Sequence, residues 1–177
     1  PDAKRAEQLI NAAGKSAPKG ISAEAMADAL QAAWRAFHAG EFEQAFILGT
    51  ALGPIGTSVA AKALGIHATY LVKNADDRLA RFEQAAQMAE QAVAALPKEA
   101  NSHYRLAFGY GRYGQGISIA KALSTGLAGK IKTALDACLK LEPKHAEAHL
   151  ASALWHAEII NKVGGTLAGL TYGAKRK

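Results

Sequence analysis

Two proline-terminated segments with matching internal spacing constrain the fold of this chain more than any other feature of its sequence. In each segment small or apolar residues recur every three or four positions, and a proline follows five residues after the last of them. The two sets are Ala85, Ala89, Ala92 and Pro97, and Ile131, Leu135, Cys138 and Pro143. Residues at this spacing share one face of an α-helix, and proline ends the helix because its ring clashes with the preceding turn. The sequence therefore predicts repeated helices with an offset of 46 residues.

Helical periodicity extends over the rest of the chain, and no segment alternates apolar and polar residues as a strand does. Alanine is abundant and β-branched residues are sparse, which favours helix because alanine loses little side-chain freedom there. We expect helices over 2–13, 22–39, 42–52, 58–73, 77–95, 99–122, 125–141 and 145–163, and another from 167 onward. Ser22 is the expected N-cap of the second, and Ser124 or Thr125 that of the helix ending at Leu141.

The segment after Pro97 carries the clearest motif, His103-x2-Leu106-Ala107-x2-Tyr110-x3-Gly114. Together with Ala85 and the two prolines, it resembles the tetratricopeptide repeat pattern, with His103 at the usual Trp position and Ala107 at the usual Gly position. The resemblance covers residues 22–177, with the last repeat truncated, and leaves 1–21 as an N-terminal helix and loop. It implies an all-α fold, a right-handed superhelical solenoid of antiparallel helix hairpins.

The same resemblance implies a function. Repeat proteins of this kind are non-catalytic binding scaffolds that recognise a peptide, a protein segment or a ligand on the concave face. The offset of 46 exceeds the family period of about 34 residues, so the helices here are expected to be longer than standard. Long-helix variants look like periplasmic repeat proteins of bacteria. An accessory ligand-handling component of a bacterial transport system is therefore the alternative function, and an exported, periplasmic location is expected, with the cytoplasm as the alternative.

In the repeat register, one stripe of residues is predicted to line the concave face. Tyr and Arg frequently anchor interfaces, and side chains three or four residues apart project from the same side of a helix. The candidate binding residues are Asn101, Tyr104, Phe108 and Arg112 in the best repeat, and Trp34, Phe37 and His38 in the first hairpin. The competing interpretation is that these aromatic side chains fill the space between repeats.

Composition and charge limit the classes of partner. Residues 1–99 contain 10 basic and 11 acidic side chains and residues 100–177 contain 11 and 4, so the second half accounts for the net charge of +6. A protein or peptide partner with acidic character would be attracted to this half. The basic residues are scattered, so no nucleic-acid partner is predicted, and no apolar run approaches the roughly 20 residues that span a bilayer. The end repeats are candidates for homo-oligomer contacts. Cys138 is the only cysteine, which excludes a disulfide within the chain.

Three further patterns suggest other chemistry. Residues 109–114 match the form G-x-G-x-x-G, but a dinucleotide site needs a preceding strand, and residues 101–108 are predicted to be helical. His145, His149 and His156 fall on one helix face, although the sequence lacks the H-E-x-x-H metal motif. Glu158 beside His156 could serve acid–base chemistry. We predict no metal, no cofactor and no enzymatic activity, with a His156–Glu158 enzyme as the rival hypothesis.

Overall fold

The computed structural model describes residues 1–172, apart from the side chains of Leu167, Ala168, Leu170 and Tyr172. Every regular element in this part of the chain is helical, which confirms the all-α prediction. The α-helices are α1 (Ala3–Ala13), α2 (Ala23–His38), α3 (Phe42–Thr50), α4 (Thr57–Tyr70), α5 (Ala75–Ala95), α6 (Ala100–Gly116), α7 (Ile119–Ser124), α8 (Leu127–Leu141), α9 (Ala146–Val163) and α10 (Gly165–Tyr172). The predicted truncation of the last repeat at Lys177 lies outside the described residues.

Short polar side chains define where several helices begin. The Ser22 hydroxyl accepts a hydrogen bond from the Ala25 amide at 3.2 Å, so Ser22 caps α2 as predicted. Asn74 caps α5, because its side-chain oxygen accepts from the Asp76 amide at 2.9 Å and the Asp77 amide at 3.0 Å. These bonds satisfy amides that have no partner within the helix.

The 46-residue offset is present in the backbone. α5 and α8 both end two residues before the proline, and α6 and α9 begin at the equivalent residues Ala100 and Ala146. After each proline, a histidine ring nitrogen returns to the proline carbonyl, at 2.8 Å for His103 with Pro97 and at 2.8 Å for His149 with Pro143. The two segments therefore form the same helix–turn–helix junction.

One predicted helix is two helices. The expected helix over 99–122 ends at Gly116, and Ser118 caps the separate short helix α7 by accepting from the Lys121 amide at 3.2 Å. Gly114 and Gly116 weaken the end of α6, because glycine loses the most backbone freedom in a helix. The serine cap then starts a new helix instead of continuing the old one.

The predicted caps of α8 are also wrong. The hydroxyls of Ser124 and Thr125 accept no amide of α8; both donate to the carbonyl of Lys121, at 3.0 Å and 2.9 Å. Gly126 takes the position before α8 with φ of 63°, a left-handed conformation that glycine adopts without steric cost. The hydroxyls thus close the end of α7, and the glycine turns the chain into α8.

Neighbouring helices pack in sequence, and alternate helices also touch. α2 contacts α4, α4 contacts α6, and α6 contacts α9, so these four helices form one row, which we call the inner row.

One apolar core lies between α1, α2 and the 3₁₀ turn at Gly53–Gly56, around Met26 and Leu30. A second lies between α6, α8 and α9. Within residues 1–172, no helix combines the length and apolar character that crossing a membrane requires.

Candidate functional site

A cavity of about 480 Å³ opens beside the second core, between α6, α7, α8 and α9. We call it the α6–α9 cavity. Most of its lining is apolar, with aliphatic side chains from α7, α8 and α9 facing aromatic side chains of α6. Its volume falls within the range of roughly 300–1,000 Å³ that is usual for small-molecule sites. The cavity is therefore large enough to hold a ligand or part of a partner.

Three of the predicted binding residues form one wall. Tyr104, Phe108 and Arg112 lie four residues apart on α6 and all line the cavity; we call them the α6 stripe. Phe108 also packs against Gly65 of α4, where a Cβ atom would lie only 2.4 Å from the phenyl ring. The absence of a side chain at Gly65 therefore lets the phenyl ring pack against the backbone of α4.

The opposite wall comes from α9 and was not predicted. Leu150, Leu154 and Glu158 line it; we call them the α9 stripe. They follow the α6 stripe by the same 46 residues that separate Pro97 from Pro143. Leu150 is 64% exposed and Leu154 is 59% exposed, so apolar surface is open to the cavity and to solvent. Applying the repeat offset to the α6 stripe would have found all three residues.

Two acidic side chains of the cavity form ion pairs, whereas its arginine, Arg112, does not. Glu147 lies 3.6 Å from the Lys62 ammonium, and Glu158 lies 3.6 Å from the Lys162 ammonium. Arg112 donates to the Gln115 amide oxygen at 3.4 Å and lies 5.7 Å from the centre of the Phe108 ring. Within the described residues, no carboxylate lies within 4.0 Å of Arg112. Each cavity carboxylate thus has a lysine partner, while the Arg112 guanidinium has no carboxylate partner among the described residues.

A buried arginine lies behind the α6 stripe. Arg105 is only 3% exposed; its Nε donates to the Ser58 hydroxyl at 3.4 Å, and its guanidinium lies 4.9 Å from the Tyr104 ring. Burial lowers the pKa of Arg105, and the nearby Glu147 carboxylate acts in the opposite direction. Burial likewise raises the pKa of Tyr104. Tyr104 therefore presents a neutral phenol to the cavity near neutral pH.

The other predicted residues lie outside the cavity lining. The side-chain oxygen of Asn101 accepts from Nε2 of His145 at 3.2 Å, so Asn101 joins α6 to the start of α9. Trp34, Phe37 and His38 form an aromatic group on α2, with ring centres 5.3–6.0 Å apart.

Lys62 connects this aromatic group to the cavity. Its ammonium lies 5.7 Å from the centre of the Trp34 ring and 5.4 Å from that of Phe37, and it also pairs with Glu147. Lys62 therefore links the aromatic group on α2 to Glu147 in the cavity lining.

The three histidines near α9 have separate environments. His145 precedes the helix and caps it, because Nδ1 accepts from the Ala148 amide at 3.2 Å. His149 contacts the Pro143 carbonyl, and the His156 ring lies 5.0 Å from the Trp155 ring. Among the described residues, no group of three His, Cys, Asp or Glu side chains could hold a metal ion. Glu158 lies in an ion pair with Lys162.

The G-x-G-x-x-G segment lies inside α6, as its predicted helical context required. Gly109 lets α6 approach α5 closely, since a Cβ atom there would lie 2.7 Å from the Ala86 backbone nitrogen. Gly111 faces the cavity, and a Cβ atom there would meet nothing within 4 Å. The glycines therefore serve helix packing and leave space in the cavity.

Comparison with known proteins does not assign this chain to a family. No family model matches the chain, and no curated protein or solved structure aligns with it significantly. The α6–α9 cavity and the inner row are therefore the features of this chain that bear on its function.

Proposed function

We propose that this chain is a non-catalytic binding protein of the tetratricopeptide-like type, which holds a peptide, protein segment or ligand on the inner row of a helical solenoid. The observation that carries the proposal is the α6–α9 cavity, whose walls are two stripes related by the repeat offset. Exposed apolar surface beside a cavity is typical of binding sites. The contacts between alternate helices are those expected where stacked hairpins share an inner surface.

The charges around the cavity favour binding over catalysis. A general acid or base needs a free carboxylate or imidazole that can reach a reacting atom. Glu147 and Glu158 are each paired with a lysine of the chain. The basic second half would attract an acidic partner, and end-to-end contacts between copies belong to the same proposal.

Two matched glycines allow a sharp test. Gly111 and Gly129 both lie inside helices, and a Cβ atom at either position would meet nothing within 4 Å; only Gly111 lines the cavity. Gly111→Leu would place a side chain in the cavity with no clash at its Cβ atom, whereas Gly129→Leu would place the same side chain elsewhere. Both changes replace a poor helix former by a good one, so both variants should remain folded.

The measurement is the fluorescence of N-phenyl-1-naphthylamine, a neutral apolar probe. We expect the wild type and Gly129→Leu to bind it with similar affinity, and Gly111→Leu to bind at least tenfold more weakly. Equal binding by all three proteins would place the probe elsewhere, and no binding by the folded wild type would contradict the proposed function.

The cavity also favours a second candidate function, an accessory ligand-handling component of a bacterial transport system. This function requires a deep pocket between long helices, and an exported location would accompany it. It predicts a defined stoichiometry of small-molecule binding. The isolated protein should bind a small molecule at one site per chain, with no macromolecular partner present, in an isothermal titration.

A further inference from the structure

We infer that the α6–α9 cavity takes a small amphiphilic carboxylate, with its apolar tail between the α6 and α9 stripes and its carboxylate on Arg112. This inference deepens the proposed function and rests on it. It concerns the chemical class of the ligand, which the apolar lining alone would not specify.

The shape and the apolar lining of the cavity suit an apolar tail. It is closed on one side by the core between α6, α8 and α9, and its volume is that of a small-molecule site. Leu150 and Leu154 line this cavity and are mostly exposed. A tail that covered them would remove apolar surface from water, which favours binding roughly fourfold per buried methylene group.

Among the described charged side chains that line the cavity, Arg112 is the one without an oppositely charged partner. Glu147 is paired with Lys62, and Glu158 is paired with Lys162. The guanidinium of Arg112 is held toward the cavity by the Gln115 amide and the Phe108 ring, neither of which carries negative charge. An arginine in this state favours an anion, and its planar fork matches the two oxygens of a carboxylate.

The same charges disfavour a cationic ligand. A cationic amphiphile would have to displace Lys62 or Lys162 from a carboxylate and would lie near Arg112. A neutral ligand would leave Arg112 without the partner that a carboxylate supplies. The charge arrangement therefore selects an anionic head group over a cationic or neutral one.

The experiment is competition against bound N-phenyl-1-naphthylamine by three amphiphiles with the same tail: dodecanoate, dodecanol and dodecyltrimethylammonium, each below its micellar concentration. Dodecanoate should displace the probe at about tenfold lower concentration than either other compound, since hydrogen bonds to charged groups commonly change affinity roughly tenfold or more. Added salt should weaken dodecanoate binding and leave binding of the probe unchanged.

Arg112→Gln should remove this preference, and Arg112→Lys should keep only part of it, because lysine lacks the bidentate fork. Arg35→Gln is the matched control, since Arg35 also bonds a glutamine of its own helix, at 3.3 Å, but lies outside the cavity. This control should behave as the wild type does.

The outcomes separate the two proposals. Equal displacement by all three amphiphiles, or an unchanged preference in Arg112→Gln, would overturn the carboxylate inference while probe binding still supports the binding function. Failure of all three to displace a bound probe would also overturn it. Failure of the probe itself to bind would overturn the proposed function, and this inference with it.

Discussion

The hairpins α5–α6 and α8–α9 have the same junction and different packing. Their helices end and begin at equivalent residues, and the same histidine–carbonyl contact follows each proline. Yet Tyr104 of α6 is 9% exposed, whereas its equivalent in α9, Leu150, is 64% exposed. α6 lies in the inner row between α4 and α9, while among the described helices α9 has an inner-row neighbour on one side only.

One sequence difference accompanies this contrast. Gly109 of α6 corresponds to Trp155 of α9. At Gly109 the backbones of α5 and α6 come into close contact, whereas the buried Trp155 ring lies between α9 and α8 and donates to the Ala128 carbonyl at 3.0 Å. The indole therefore holds α9 away from α8 beside the cavity. The same backbone junction thus packs closely where it carries Gly109 and borders a cavity where it carries Trp155.

Trp155→Ala gives the largest expected change. Removing a buried indole should lower the free energy of unfolding by about 3–5 kcal/mol, because the variant loses the apolar contacts of the ring and its hydrogen bond to the Ala128 carbonyl. Urea denaturation measures this, and a melting temperature lower by roughly 6–20 °C should accompany it. Leu150→Ala on the same helix is the control, with an expected loss under about 0.5 kcal/mol because Leu150 is exposed. Similar losses in the two variants would contradict the role given to Trp155.

Gly109→Val tests the other hairpin. The added side chain would meet the Ala86 backbone at 2.7 Å, which α5 can relieve only by moving away. We expect a loss of about 1–3 kcal/mol in the free energy of unfolding, the usual cost of overpacking. Gly111→Ala, two residues along the same helix, meets nothing within 4 Å and should instead stabilise the protein by up to about 1 kcal/mol. Thermal denaturation of both variants measures the difference, and a stabilised Gly109→Val would show that α5 and α6 do not need this close contact.

The sequence predicted the helices and the repeated junctions because these depend on local residues. The prolines, Ser22 and the residue spacing act within a few positions of the ends that they define. The break after Gly116 was missed because several spaced glycines weaken a helix without specifying where the helix ends. Tyr104, Phe108 and Arg112 were placed on one face by spacing alone, and all three line the cavity.

The opposite wall and the charge pairs depend on contacts between distant parts of the chain. Lys62 and Glu147 are 85 residues apart in sequence and meet only because α4 and α9 both flank α6. No pattern around either residue indicates the other. Leu150 and Leu154 could have been found from the 46-residue offset, but their exposure follows from the position of α9, which has an inner-row neighbour on one side only among the described helices.

Cys138 provides the smallest expected effect, at a position where the two hairpins are otherwise alike. Its equivalent is Ala92, and both side chains are fully buried. Burial raises the pKa of the Cys138 thiol from 9.0 to about 11, with smaller contributions from acidic neighbours such as Glu142. Because the folded-state pKa of this acid is raised, the unfolded chain loses its proton first, and stability falls as pH rises above about 9. The loss should be on the order of 1 kcal/mol at pH 10 and should level off above pH 11.

Cys138→Ala, which makes the two positions identical, should lose less stability than the wild type between pH 8 and pH 10. Urea denaturation at both pH values measures the difference, and equal losses in the two proteins would mean that the thiol ionises as readily in the folded chain as in the unfolded one.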